Sequence, residues 1–343
     1  MREQHSVAAY LVKAALHGIE DTPARVAAVL AQAGIDSALL AKANARLSAE
    51  SVRLFWLAMD QELNDEFFGF DSRGLPSGSF ALICRALIQE PTLGKALTRC
   101  LSYLGLFIQD ISARLEIRGT QARILLETRM PKGLRGHAAE EIYLSIVLCL
   151  MCWLVGRRLS LNRSEFRHAP LKGEEIPWHW GPWVEFNASH TLVEFDASYL
   201  QLPVQQTPTT LKAFLRHCPQ WLVVRFRNEQ GTAAQVFARL KRIPIAEWPT
   251  LKTLAKDLGL REASLRHQLA KEGFSYQEIK HQVRRAQIFS LLADPALSIS
   301  DIAHLAGFQE PSALHRLFRR WTGQSPGQFR ARLALSKGLS AGA

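Results

Sequence analysis

The 343-residue sequence lacks most of the features that mark a secreted, membrane or standard catalytic protein. Five cysteines is an odd number, and their spacing builds no framework, so a disulfide scaffold is excluded and a reduced, cytoplasmic setting is expected. The opening Met1-Arg2-Glu3-Gln4-His5 is charged and leads into no apolar stretch, so it does not read as a secretory signal. The longest uncharged apolar run, Ile142 to Val155, has 14 residues and carries Ser145. About 20 residues are needed to span a bilayer, so the run reads as a buried helix and no membrane span is expected. There is no G-x-x-x-x-G-K-[S/T], H-E-x-x-H, G-x-S-x-G or G-x-G-x-x-G, which removes the common nucleotide, zinc-protease and hydrolase signatures. No cofactor or metal is expected, and the chain does not read as an enzyme. Acidic residues are also in short supply: 31 Asp+Glu face 42 Lys+Arg, a net charge of +11. That balance calls for an anionic partner, nucleic acid or membrane surface.

What is present is a globular composition, 48% hydrophobic and 21% charged, over a length that suits about two domains. The charge is unevenly placed. Residues 1–228 hold 25 Lys+Arg and 22 Asp+Glu, a net of +3, whereas residues 229–343 hold 17 and 9, a net of +8. A near-neutral front part is thus followed by a basic back part.

The front part, 1–225, mixes helix and strand patterns. Ala27, Leu30 and Ala31 share a helical face that Gly34 ends, and Ser51 opens a segment with Val52, Phe55, Trp56 and Met59 on one side. Leu93, Ala96, Leu97, Cys100, Leu101, Leu104 and Phe107 form a buried helical stripe. Alternation around Arg118-Gly119-Thr120-Gln121 reads as a β-hairpin, and Val184–Phe186 and Leu192–Phe195 read as short strands. Cys149-x-x-Cys152 lies inside the apolar run, where core packing is the better account than a redox pair. Trp178-His179-Trp180-Gly181-Pro182-Trp183 either lines a ligand pocket or caps a core beside a turn, and the second is favoured.

The back part is all-α in pattern. A short helix from Ala233 to Arg242 precedes Pro244, Trp248 and Pro249. Leu251, Leu254, Ala255 and Leu258 then mark a one-sided helix ended by Gly259, and a second helix begins near Glu262 with Leu265 and Leu269 inward. That pairing is the sequence form of a helix-turn-helix. It recurs: Ala255-x-x-x-Gly259-Leu260 returns 48 residues later as Ala303-x-x-x-Gly307-Phe308, and Leu265-x-x-x-Leu269 returns 49 residues later as Leu314-x-x-x-Phe318. Pro311 suits the first turn of the last of these helices. Its inward stripe is Leu314, Leu317, Phe318 and Trp321, and its other face shows Ser312, His315, Arg316, Arg319 and Arg320. Small polar, His and Arg side chains on one exposed face suit a DNA groove and its phosphates. Between the two motifs, Ser275-Tyr-Gln-Glu278 is a capping box that opens a helix of about eighteen residues, roughly 27 Å long. Two reading helices so separated can enter successive major grooves, about 34 Å apart. The expected fold is an α+β N-terminal domain, 1–225, and an all-α C-terminal domain, 229–335, with two helix-turn-helix motifs joined by a long helix.

Residues from about 229 to 335 resemble the AraC/XylS transcription regulators. Carrying the resemblance are Arg285-Ala286, Leu291-Leu292, Leu297-Ser298-Ile299, Ile302-Ala303, Gly307-Phe308, Ser312, Arg316, Phe318, Gly323-Gln324-Ser325-Pro326 and Phe329-Arg330. Leu314 stands where an aromatic is usual and Phe329 where Tyr is common; both stay apolar. Ala33-Gly34-Ile35-Asp36, Phe67-Phe68-Gly69, Thr92 to Leu97 and Val193 to Asp196 resemble the subgroup that includes the ornithine-utilisation regulator. The resemblance implies a sequence-specific DNA-binding regulator of the activating kind. Its partners would be double-stranded promoter DNA and RNA polymerase, and its front domain would bind a small-molecule effector and form a homodimer.

By motif position, Ala263, Ser264, Arg266 and His267 then lie on the outer face of the first reading helix, and Ser312, His315 and Arg316 on that of the second. Arg266 and Arg316 are the candidate base readers, since Arg pairs bidentately with guanine O6 and N7; a phosphate contact is the alternative for each. His267 and His315 would donate to a base or a phosphate. Arg319, Arg320 and Arg330 would position the DNA backbone, and Ser325 would cap the last helix with Pro326 in its first turn, where the backbone N–H groups would also hold a DNA phosphate. Two alternatives stay open: a front domain that only dimerises or contacts proteins, and a DNA-tethered alkyl-transfer enzyme, for which Cys218 is the one cysteine outside an apolar stretch.

Overall fold

The computed structural model describes residues 6–42, 45–157, 159–170, 180–181, 183–223, 232–271, 274–292, 294–322 and 324–331. Residues 1–180 and 184–227 form one compact unit, and residues 181–183 with 228–343 form another.

In the first unit, β1 (Ser6–Ala8) pairs antiparallel with β2 (Arg46–Ser48), and between them in sequence lie α1 (Ala9–Ala15), α2 (Pro23–Gln32) and the single turn α3 (Ser37–Leu40). Next comes α4 (Ala49–Leu63). Its cap is Ser48, whose Oγ accepts from the Ser51 N–H at 3.0 Å, so the helix opens ahead of the expected Ser51. Two more helices follow, α5 (Ser79–Leu87) and α6 (Leu93–Phe107), the latter capped by Thr92 and burying the expected Leu93 to Leu104 stripe. The hairpin is β3 (Ile111–Arg118) and β4 (Gln121–Thr128), turned at Gly119, whose φ of +59° suits glycine.

The chain continues through α7 (Leu134–Leu154), β5 (Leu161–Glu165), β6 (Val184–Glu185), β7 (Thr191–Asp196) and α8 (Pro208–Val223). The five-stranded sheet runs β3-β4-β7-β5-β6, antiparallel throughout except for β5 with β6. The register sets Ala122 against Phe195 and Ile124 against Val193, and all four are fully buried, so one face of β4 and β7 belongs to the core.

The apolar helix is longer than its sequence pattern. It begins at Leu134, eight residues ahead of Ile142, and its 21 residues meet the length and apolarity needed to cross a bilayer. Length therefore does not separate the two readings, but burial does: 94% of its most apolar stretch is buried inside the unit, as expected of a core helix that is hydrophobic all round. Cys149 and Cys152 are buried in it, as are Cys84 and Cys100 nearby. The Cys218 side chain lies outside the described residues.

The early start of α7 escapes the apolar pattern because its first turns carry His137, Glu140 and Glu141, all buried. Each charge is met. Arg167 Nε donates to Glu140 Oε1 at 2.6 Å and its Nη2 to the Met130 carbonyl at 2.6 Å, while Thr191 Oγ1 donates to Glu140 Oε2 at 2.5 Å. Glu141 accepts from the Tyr10 hydroxyl and from Trp180 Nε1 at 3.0 Å, and lies 3.3 Å from His137 Nε2. Burial alone would raise the Glu141 carboxyl, but His137, Tyr10 and Trp180 hold it below the usual carboxylate range. Trp180 is thus a core tryptophan with its N–H used, the favoured reading of its motif; Trp178, His179 and Pro182 lie outside the described residues.

The His137 and His168 rings stack at 3.3 Å between centroids. Burial and the neighbouring His137 push His168 down to about 4 from an ordinary 6.5. Because the folded value lies below the unfolded one, the stabilisation is complete above pH 6.5 and is lost as the pH falls toward 4. The full chain is expected to lose melting temperature across that window, and His168→Gln is expected to flatten the slope; thermal melts at stepped pH check both.

The second unit is all-α. It comprises α9 (Thr232–Lys241), α10 (Leu251–Asp257), α11 (Glu262–Lys271), α12 (Tyr276–Leu292), α13 (Ile299–Leu305) and α14 (Pro311–Thr322). The capping box at α12 is present: Glu278 N donates to Ser275 Oγ at 3.1 Å and Ser275 N to Glu278 Oε2 at 2.7 Å. Two small cores result. One gathers Val236, Leu240, Leu254, Leu265, Leu269, Ile279 and Val283; the other gathers Ile288, Phe289, Ile302, Ala303, Leu314, Phe318 and Phe329. The two positions that depart from the family pattern, Leu314 and Phe329, are 0% and 2% exposed, so both still serve packing.

Candidate nucleic-acid interface

Each half of the second unit is built the same way. Thr250 caps α10, its Oγ1 accepting from Thr253 N at 3.1 Å, and Ser298 caps α13, its Oγ accepting from Asp301 N at 3.0 Å while Asp301 Oδ2 accepts from Ser298 N at 2.9 Å. Each first helix ends at a glycine in the left-handed region, Gly259 at φ +69° and Gly307 at φ +76°. The next helix then starts at Glu262 or Pro311. Ser298→Ala is expected to cost about 1 kcal/mol, because it leaves an N–H at the start of α13 unpaired. Urea unfolding of the full chain, compared with Ser298→Thr, checks this.

The exposed faces carry the expected residues. On α11, Leu265 and Leu269 are buried, and Ala263, Ser264, Arg266 and His267 are exposed. On α14, Leu314 and Phe318 are buried, and Ser312, His315, Arg316 and Arg319 are exposed. The Arg320 side chain lies outside the described residues. Arg266 Nη2 pairs with Glu262 Oε1 at 2.6 Å, one turn back. Such a surface pair contributes little, so the guanidinium can exchange it for a DNA acceptor. Ser312 Oγ donates to Glu310 Oε2 at 3.2 Å.

Two residues take roles tied to the fold. Ser325 Oγ accepts from Gln328 N at 3.3 Å and Ser325 N donates to Gln328 Oε1 at 2.9 Å, a capping box over residues 326–331. Arg330 is turned inward: its Nη1 donates to the Leu297 carbonyl at 2.6 Å, and its Nε and Nη2 are buried with no acceptor. In this arrangement Arg330 braces the entry to α13. Sequence reading missed Trp248 and Arg284. The Arg284 guanidinium carbon lies 5.4 Å from the Trp248 ring centre and 5.7 Å from that of Phe308. No local periodicity announces such a contact, since its members are far apart in sequence.

The arrangement has known counterparts. Residues 24–204 match the family described as the arabinose-binding domain of AraC transcription regulator, N-terminal, and residues 254–332 match the helix-turn-helix domain family. The chain belongs to the AraC family of transcription regulators. It is similar to the ornithine utilization regulator of Pseudomonas aeruginosa, with 26% identity over 71% of this chain and 72% of the relative. The transcriptional regulator VirS of Mycobacterium tuberculosis is 27% identical over 66% of this chain and 67% of its own length. For the transcriptional regulator VqsM of P. aeruginosa the likeness is 36% over 84 residues, 24% of this chain and 26% of VqsM. This AraC-family regulator is therefore a DNA-binding transcription regulator with an arabinose-binding-like N-terminal domain, and the helix-turn-helix match spans α11, α12, α13 and α14.

Proposed function

We propose that the chain is an effector-controlled transcription activator of the cytoplasm. Residues 229–335 read promoter DNA through the outer faces of α11 and α14, and residues 1–225 bind a small-molecule effector, form a homodimer and pass the bound state on to RNA polymerase. The observation that carries the DNA reading is the duplicated motif. In both halves a left-handed glycine turns the chain into a helix whose apolar side is buried and whose other side presents Ser, His and Arg to solvent. The match of residues 24–204 to an arabinose-binding family supports the sensing role, as does a relative whose name ties it to ornithine utilization.

Arg266 and Arg316 are proposed as the base readers, supported by Ser264, His267, Ser312 and His315. Arg319 is proposed to position the DNA backbone. Arg266→Ala and Arg316→Ala are each expected to cost about 1–3 kcal/mol of binding and to relax the preference at one base step. Site selection from a random DNA pool, with the full chain at two salt concentrations, tests this. A loss that is uniform over sequences, with a shallower salt slope, would make the residue a phosphate contact. The sensing role is tested by melting the full chain against a panel of small metabolites, since an effector stabilises the state that binds it. If no metabolite shifts the melt and the chain still selects a doubled site, the front domain serves dimerisation alone.

A further inference from the structure

The two helix-turn-helix halves have separate cores, yet reading two successive grooves needs a fixed relation between them. The long helix supplies only part of it: α12 gives Tyr276, Ile279 and Val283 to the first core and Ile288, Phe289 and Leu292 to the second. A lone connecting helix can bend and twist, so the angle between the halves depends on contacts beside it. Those contacts come from the segment that leaves α9. Ile245, which precedes the first motif, is buried in the core of the second, where a Cβ on Gly307 would sit only 3.0 Å from Ile245 Cγ2. Three residues on, Trp248 packs against both cores, and its Nε1 donates to the carbonyls of Leu240 at 3.1 Å and Ile243 at 3.2 Å.

Arg284 closes this bridge. It lies on α12 between the residues that serve the two cores, with its guanidinium carbon 5.4 Å from the Trp248 ring centre and 5.7 Å from that of Phe308. Its Nε is buried without an acceptor, so the aromatic rings hold the group in place of a carboxylate. Trp248 stands three residues before α10, at the entry to the first motif, and Phe308 three residues before α14, in the turn of the second, so each ring is rooted in one motif. Lys280 Nζ also lies over Trp248, at 5.6 Å.

We propose that the Trp248–Arg284–Phe308 stack is a staple that sets the spacing and angle of the two reading helices, and that Arg284 is a positioning residue for site selection. The proposal rests on the reading that α11 and α14 both enter DNA. It predicts that the chain measures the distance between its two sub-sites, and that breaking the stack removes the measurement before it removes binding.

The test uses the full chain and the DNA site that it selects from a random pool, beside the same site with one base pair inserted between the two segments read by one chain. An insertion moves the second segment by about 3.4 Å and turns it by about 34°. The wild-type chain is expected to bind the inserted site at least about tenfold more weakly. For Arg284→Met, that ratio is expected to fall to about two- to threefold, with Arg284→Lys intermediate because it keeps the charge and loses the planar group. Phe308→Leu opens the stack from its other side without touching the charge, and it is expected to relax the ratio likewise; it decides the matter if Arg284→Met does not fold. An unchanged ratio in the folded variants overturns the proposal, most plainly if both sites weaken equally and the salt slope drops by about one unit, the mark of a lost phosphate contact. A wild-type chain that selects no site overturns the DNA reading itself, and the staple's role with it, before any variant is made.

Discussion

Phe318→Ala is expected to lower the stability of the second unit by about 3–5 kcal/mol and to abolish selective DNA binding at ordinary temperatures. The side chain is fully buried, and its ring lies 5.1 Å from Phe289, 5.3 Å from Phe329 and 6.4 Å from Trp321, so it is the centre of an aromatic cluster that joins α12, α14 and the last described helix. Truncation loses the transfer of a phenyl ring and leaves a cavity that such a small core cannot close. The same cluster presents Ser312, His315 and Arg316 outward, so the surface they share is lost with it. Urea unfolding and binding to the selected site, both on the full chain, check the two halves of the expectation. Leu305→Ala is the comparison. That leucine is 52% exposed, and its loss is expected to change stability by less than about 0.5 kcal/mol. Stability unchanged in Phe318→Ala would mean that this cluster is not what shapes α14.

Arg167→Met is expected to cost the first unit about 3–5 kcal/mol, for the opposite reason. No apolar volume is missing, but a carboxylate is stranded. Glu140 is 1% exposed, and among the described contacts it would keep only the Thr191 hydroxyl. The Met130 carbonyl would lose its donor as well. Adding Glu140→Gln to Arg167→Met is expected to recover part of the loss, because a neutral amide tolerates that site better than an unpaired charge. A double-mutant cycle by urea unfolding measures the coupling. Additive losses would show that the pair is not coupled, and that Arg167 acts through its carbonyl contact and its packing.

Local pattern and tertiary context divide clearly in this chain. Elements whose stripes are purely apolar were legible: α6 from its Leu93 to Leu104 spacing, the hairpin at Gly119, and the repeat from Ala255-Gly259 to Ala303-Gly307. In these places one periodicity and one turn residue suffice, because burial is one-sided. The start of α7 was not legible. Its His137, Glu140 and Glu141 look like surface residues until Arg167 and Thr191 pair with Glu140 and Tyr10 and Trp180 with Glu141, all distant in sequence. The Arg330 contact was not legible for the same reason, since its partner, the Leu297 carbonyl, lies 33 residues away.

The sequence by itself determined the class of partner and which side chains of α11 and α14 face outward. A net charge of +8 in residues 229–343 and a repeated helix-turn-helix pattern need no tertiary information to be seen. The outward direction of Arg266 and Arg316 follows from helical geometry once Leu265, Leu269, Leu314 and Phe318 are inward. Only the tertiary structure decided which charges are buried and which rings meet. The Glu140–Arg167 pair and the Trp248–Arg284–Phe308 stack join residues from separate elements, and nothing in a local window distinguishes an arginine that will face solvent from one that will sit between two aromatic rings. Desolvation is a property of the folded environment, and it is what turns these ordinary residues into structural ones.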